Sequence, residues 1–284
     1  MSSQIVLMID SLPPFPLLAD ILRAFARSDT SGDMRELIDA IKREPAITAK
    51  VIGVANSAYY ASGSTVYSVE NASARLGLRQ LKVTVLSLVL AKRFDPSRCP
   101  GFDLGRFWYD AIMTAHCVAH LLDYIEPKLS VDRSAMMSIG LVHSIGLLLM
   151  VEQFPQELAE AISERAPAQG VGLSIAEPIH FGGEDHYALG ARLLAHWGLP
   201  TVYSTVIGHL AHPEAAGEDA RPATLVMLAK RLVDTFAHGA EPPITLIESL
   251  PWLNQEGLNG IYQQMALDHK AFDAFLPYLS GSHG

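Results

Sequence analysis

The chain has 284 residues, 49% of them hydrophobic, and a formal net charge of -9 from 21 basic and 30 acidic side chains. That length suits one large domain or two modest ones, and the apolar content excludes a disordered class. The negative balance argues against nucleic acid as the main partner, because phosphate backbones are held by clustered Lys and Arg. Arg79, Lys82, Lys92, Arg93 and Arg98 come nearest to such a cluster. Apolar residues separate them, and they read as a solvated helix face. Cys99 and Cys117 form no Cys-x-x-Cys pair and no disulfide framework, and Cys117 reads as a small buried hydrophobe. The N-terminus has no basic region before its short apolar run, so it lacks a signal-peptide pattern. The longest near-unbroken apolar stretch, 139–151, falls short of the roughly 20 residues a membrane helix needs. A cytoplasmic chain with no membrane partner is expected.

Taken in order, the chain opens with Leu12-Pro13-Pro14-Phe15-Pro16, which cannot be helix interior because proline lacks an N–H. Helix is predicted over 17–27, and again over 34–43, where Asp33 and Glu36 form a capping-box arrangement. Pro45 suits the first turn of a helix that ends at Asn56-Ser57, whose side chains are expected to bond backbone. A short helix over 69–76 stops at Gly77, and another follows over 78–94. Asp95 to Gly101, with two prolines and a glycine, is the clearest boundary. Helices are then predicted over 103–124, 134–154 and 155–165. Loop follows over 166–172, and 175–179 is ambiguous. A helix over 186–197 is capped by Asp185 and closed by Gly198-Leu199-Pro200. Further helices are expected over 201–210, 223–236, 246–252 and 258–276, with Pro242-Pro243 between. No strand is convincing and no fixed-period repeat or heptad run stands out. The fold class is all-α.

The most apolar stretch, Gly140 to Met150, carries a lone histidine, His143. It is either a core residue with satisfied ring nitrogens or the remnant of a metal site. No glycine-rich phosphate loop occurs. Ser144 is not a nucleophile elbow, because Val142 precedes it by two residues and no strand leads into it. His116 and His120 share a helix face, but no glutamate lies between them and no third ligand is evident, so they read as packed or surface histidines. Trp108 and Trp197 read as core anchors.

The central stretch resembles the helix of the HD superfamily of metal-dependent phosphohydrolases, where Leu-x-His-Asp-Ile-Gly-Lys is typical. In that superfamily the His-Asp pair ligates a divalent metal that activates water for attack on a phosphate. Here His143 matches the histidine, while Ser144 stands for the aspartate and Leu147 for the lysine. Asp110 falls where an earlier helix supplies a histidine, and Lys230 where a later helix supplies an aspartate. One or two ligands do not hold a catalytic ion against water. The resemblance therefore implies loss of hydrolysis.

A non-catalytic branch, the HD-related output domain or HDOD family, is more similar. The opening Leu12-Pro13-Pro14-Phe15-Pro16, the run Ile41 to Val51, Asn56-Ser57-Ala58-Tyr59-Tyr60, Val69 to Leu78, and Phe181 to His186 through Trp197-Gly198-Leu199-Pro200 resemble its motifs in order. The chain departs at the ligand positions and at a usual His-His pair, loosened here near His209 and His212. The resemblance covers 11–236. It implies an N-terminal helical lobe over 11–95, an HD-like lobe over 101–236 and a helical tail over 237–284. It also implies a bacterial signalling output module working through protein contacts, with two-component or cyclic-di-GMP signalling proteins as candidate partners and no cofactor. His143, His186, His209 and His212 are candidates to line a ligand cavity, although capping and packing roles also suit them. Two rivals stay open: a phosphohydrolase with a rearranged site of Asp110, His143, His186 and His209, and a nucleotide-binding sensor.

Overall fold

In the computed structural model the described residues are 20, 21, 24, 34–61, 63–91, 99–164, 181, 183–240, 244–254 and 260–279. The proline-rich opening, Asp33, most of the 95–101 boundary, the 166–179 segment and Pro242-Pro243 lie outside them. Among the described residues the regular structure is helical, apart from one antiparallel bridge between Ile125 and Leu253.

The first half contains α1 (Arg35–Lys42), α2 (Pro45–Ala55) and α3 (Val69–Ala91). Pro45 begins α2, where its missing N–H costs nothing. Asn56 ends α2, and its side-chain amide exchanges two 2.8 Å hydrogen bonds with the backbone of Val66, closing the loop between α2 and α3. The predicted stop at Gly77 is a break inside α3, with φ 73° and ψ 161°.

The second half is built on α4 (Leu104–Leu121), with Asp103 accepting from Arg106 N–H at 2.8 Å as its cap. Of its 18 residues 13 are buried. A helix buried almost all round is a core helix, and each large apolar side chain withdrawn from water contributes about 1.5–3 kcal/mol. Trp108 is 1% exposed and Cys117 fully buried, as their surroundings in sequence predict. Around α4 pack α5 (Arg133–Val142), α10 (Ala220–Ala237) and α12 (Ile261–Leu279). The remaining helices are α6 (Ile145–Gln153), α7 (Pro155–Glu164), α8 (His186–His196), α9 (Thr201–Gly208) and α11 (Ile244–Glu248). Asp185 caps α8 as predicted, accepting from Ala188 N–H at 2.9 Å.

Three expectations need correction. The predicted helix over 134–154 is two helices, α5 and α6, because Ser144 leaves helical geometry at φ -107° and ψ 21°. The stretch Arg133–Gln153 is long and apolar enough to span a bilayer by length and composition, but 89% of its most apolar window is buried inside the fold. Lys82 is no part of a solvated face: it is 5% exposed and donates to Ser134 Oγ at 2.7 Å, where α3 packs on α5. The buried apolar residues form one cluster that runs from Leu37 and Val51 through α4 to Phe275 and Leu279.

Candidate functional site

The site grows from two helix crossings. At the first, α6 meets α8 where Gly146 faces Gly190. A Cβ on Gly146 would lie 1.9 Å from the His186 carbonyl oxygen and 2.8 Å from Gly190 N, so only glycine permits this approach. It sets His186, the first residue of α8, against the turn that carries His143 and Ser144. At the second crossing, α10 packs along α4 and brings Lys230 and Asp234 to Arg106 and Asp110.

His143 caps α5 and has no exposed surface. Its Nδ1 lies 2.7 Å from the Gly140 carbonyl, which can only accept, so Nδ1 carries the proton. Its Nε2 is buried without a hydrogen-bond partner. Burial, followed by the positive charge of Lys230, lowers its pKa to about 3, so the ring is neutral at pH 7. Ser144 is 7% exposed, and its side chain does not cap α6.

The charges beside His143 are already matched. Arg106 Nε lies 2.8 Å from Asp110 Oδ1, and Arg106 also reaches Asp234 Oδ1 at 3.1 Å. Lys230 Nζ donates to Asp234 Oδ2 at 2.8 Å. Burial pushes the Asp110 carboxyl up against the opposing pull of Arg106. Asp234 ends below the usual range: Lys230 and Arg106 outweigh the cost of burial. Burial also works against the Lys230 ammonium, yet the Tyr187 phenol and the Asp234 and Asp110 carboxylates hold its pKa above normal. Two cations thus serve two anions.

The metal implied by the superfamily does not fit these residues. Lys230 brings its own positive charge to one carboxylate, and Arg106 engages both. Among the described residues no three His, Cys, Asp or Glu side chains converge to hold an ion.

Of the four candidate cavity histidines, the structure groups His143 and His186. His209 turns its Nδ1 back to the Thr205 carbonyl of α9 at 2.7 Å. His212 is 80% exposed and lies 3.5 Å from Glu214, because it precedes a surface 3-10 turn that starts at Pro213. Arg106 and Asp234 escaped sequence reasoning. Their signal was present: each stands four residues from an oppositely charged candidate position, on the same helix face. Asp268 escaped as well. It lies 3.3 Å from His116 Nδ1 and 2.9 Å from His120 Nε2, and it reaches them from the far end of the chain.

The HDOD domain family model matches residues 12–213. A Shewanella amazonensis structure named as a phosphohydrolase superposes with a TM-score of 0.71 at 23% identity, covering 98% of each chain. A signal transduction protein of Marinobacter aquaeolei gives 0.79 at 21% identity, covering 96% of this chain and 60% of that one. An HDOD domain protein of Geobacter sulfurreducens gives 0.69 at 18% identity, covering 94% and 92%. At these identities the likeness is one of fold. An uncharacterized Treponema pallidum protein is 22% identical over 236 residues, which are 82% of this chain and 44% of that one. The chain therefore spans less than half the length of that relative. With the family model spanning well over half of its residues, the chain belongs to the HDOD domain family.

Proposed function

We propose that this chain is a non-catalytic signal-transduction output module of a bacterial cytoplasm, acting through contacts with other proteins. One observation carries the reading: Asp110 and Lys230, which the resemblance sets at metal-ligand positions, are matched in charge by Arg106 and Asp234. Each carboxylate already has a cation beside it, so a divalent ion would have to displace Lys230 and Arg106 before reaching the carboxylates. His143 Nε2 is a neutral donor without a hydrogen-bond partner, and one neutral donor is a weak site. The family assignment and the signalling name of the Marinobacter neighbour support the same role. Proteins of two-component or cyclic-di-GMP signalling are the partners this reading favours. Nucleic acid and membrane are not among them.

The rival is hydrolysis, since the Shewanella neighbour carries a phosphohydrolase name. It is separated by metal content. The chain, purified without a metal-affinity tag, should contain no stoichiometric Mn, Fe, Ni or Zn and should not hydrolyse a general phosphodiester probe with added Mn²⁺. A stoichiometric ion that disappears in His143→Ala would overturn the proposal.

A further inference from the structure

Helix α12 lies beyond the residues matched by the family model, yet it touches both halves of the molecule. Its inward positions are Ile261, Met265, Asp268, Phe272, Phe275 and Leu279, spaced 4-3-4-3-4. Five of these six are buried and apolar. The sixth, Asp268, is a carboxylate in the middle of the stripe, with only 13% of its side chain exposed. A buried polar group in such a seam specifies register, because any slip leaves it facing apolar atoms.

The partner surface is complementary. His116 and His120 stand four residues apart on α4, and each faces one oxygen of Asp268. His116 is 3% exposed, so the carboxylate is its interior counter-group. Further along, α12 leaves α4 and docks on α2. Lys50 Nζ donates to the Tyr278 carbonyl at 2.8 Å, and the Tyr278 hydroxyl donates to the Gly53 carbonyl at 2.9 Å. Gly53 costs helix propensity in the middle of α2. Its reason is steric: a Cβ there would lie 2.6 Å from the Tyr278 ring. Tyr59, in the loop after α2, donates to the Leu267 carbonyl at 3.2 Å. Thus α12 is bound to the second half through Asp268 and to the first half through Tyr278.

We propose that α12 is a clasp that locks the two halves into one arrangement, keyed by the carboxylate of Asp268 shared between His116 and His120. Release of the clasp is the conformational change open to this fold. The burial around Asp268 raises its pKa less than the two imidazoles lower it, so the carboxylate stays ionised and the clasp is closed at neutral pH. The clasp does not depend on the signalling role proposed above; it would serve a signalling module or an enzyme alike.

Hydrogen–deuterium exchange on the full chain tests it. In Asp268→Ala, exchange of Ile261–Leu279 should rise about ten- to a hundredfold, the scale of a lost charge-assisted hydrogen bond. Pro45–Ala55 should follow by a smaller factor, while Ala220–Ala237 stays unchanged. Asp268→Asn, which keeps the shape and one acceptor, should give the same pattern at lower amplitude and serves if the alanine variant does not fold. No change in Ile261–Leu279, a uniform rise in every helix, or opening of α12 without any response in α2 would each overturn the clasp. Chelator added to the unaltered protein should change nothing. If chelator opened α12, the key would be a metal ion and not the carboxylate.

Discussion

Helix α4 carries two ionic clusters, and they differ in kind. Near its start, Arg106 and Asp110 meet Lys230 and Asp234 from α10, so two permanent cations serve two anions at a partly exposed rim. Further along, His116 and His120 share the single carboxylate of Asp268 in the interior. The first cluster pairs two carboxylates with two cations between neighbouring helices, α4 and α10. The second joins a distant helix, α12, to the fold. Two histidines that match no ligand motif face the carboxylate that the tail helix supplies. Charge count alone therefore does not mark a functional site; the element that the charges fasten matters as much.

The largest effect should come from Gly146→Ala. With 1.9 Å to the His186 carbonyl, the new Cβ must force α6 and α8 apart, at a cost of about 3 kcal/mol in chemical denaturation. That variant should disturb the His143–His186 side while leaving exchange of α12 at the wild-type level.

Acid should separate the two clusters next. His143 has a folded pKa of about 3, below its ordinary 6.5. The unfolded chain therefore takes up a proton that the folded chain refuses, and stability falls as pH drops from 6.5 toward 3. His143→Leu should flatten that limb by about 2.5 kcal/mol between neutral pH and about pH 4.5. Asp268 behaves differently. Its folded pKa is depressed, so its contribution is present above the unfolded value of about 4 and is lost only as pH falls below it. The stability gap between wild type and Asp268→Asn should hold constant down to about pH 4 and then narrow.

Lys230→Met should have the smallest effect. Lys230 and Asp234 are 29% and 38% exposed, and Arg106 remains to pair with Asp234, so the loss should be about 1 kcal/mol by thermal denaturation. A loss several times larger would place the rim cluster, not the clasp, at the centre of stability.

Much of the architecture was legible because it rests on local chemistry. Pro45, Asn56, Gly77, Asp103 and Asp185 mark element ends by what their own backbones and side chains can do. The HDOD family was legible through motif order, and the same resemblance singled out Asp110 and Lys230. Their immediate partners were legible in principle, since Arg106 and Asp234 are i,i±4 neighbours on the same helices. The break at Ser144 was not, because an apolar run looks the same whether it is one helix or two. The place of His212 was hidden for a related reason: histidine suits core and surface alike, and only packing decides.

By itself, then, the sequence determined the all-α class and the helix boundaries set by proline, glycine and capping residues. These follow from short-range sterics and from side-chain chemistry. Only the tertiary structure decided that Lys82 is buried, that Gly53 and Gly146 are open places for a neighbour, and that Asp268 belongs to His116 and His120. Those facts depend on which helix crosses which, at separations of up to 228 residues along the chain. No local pattern encodes such a crossing; it is fixed when the apolar faces of all the helices close over one core.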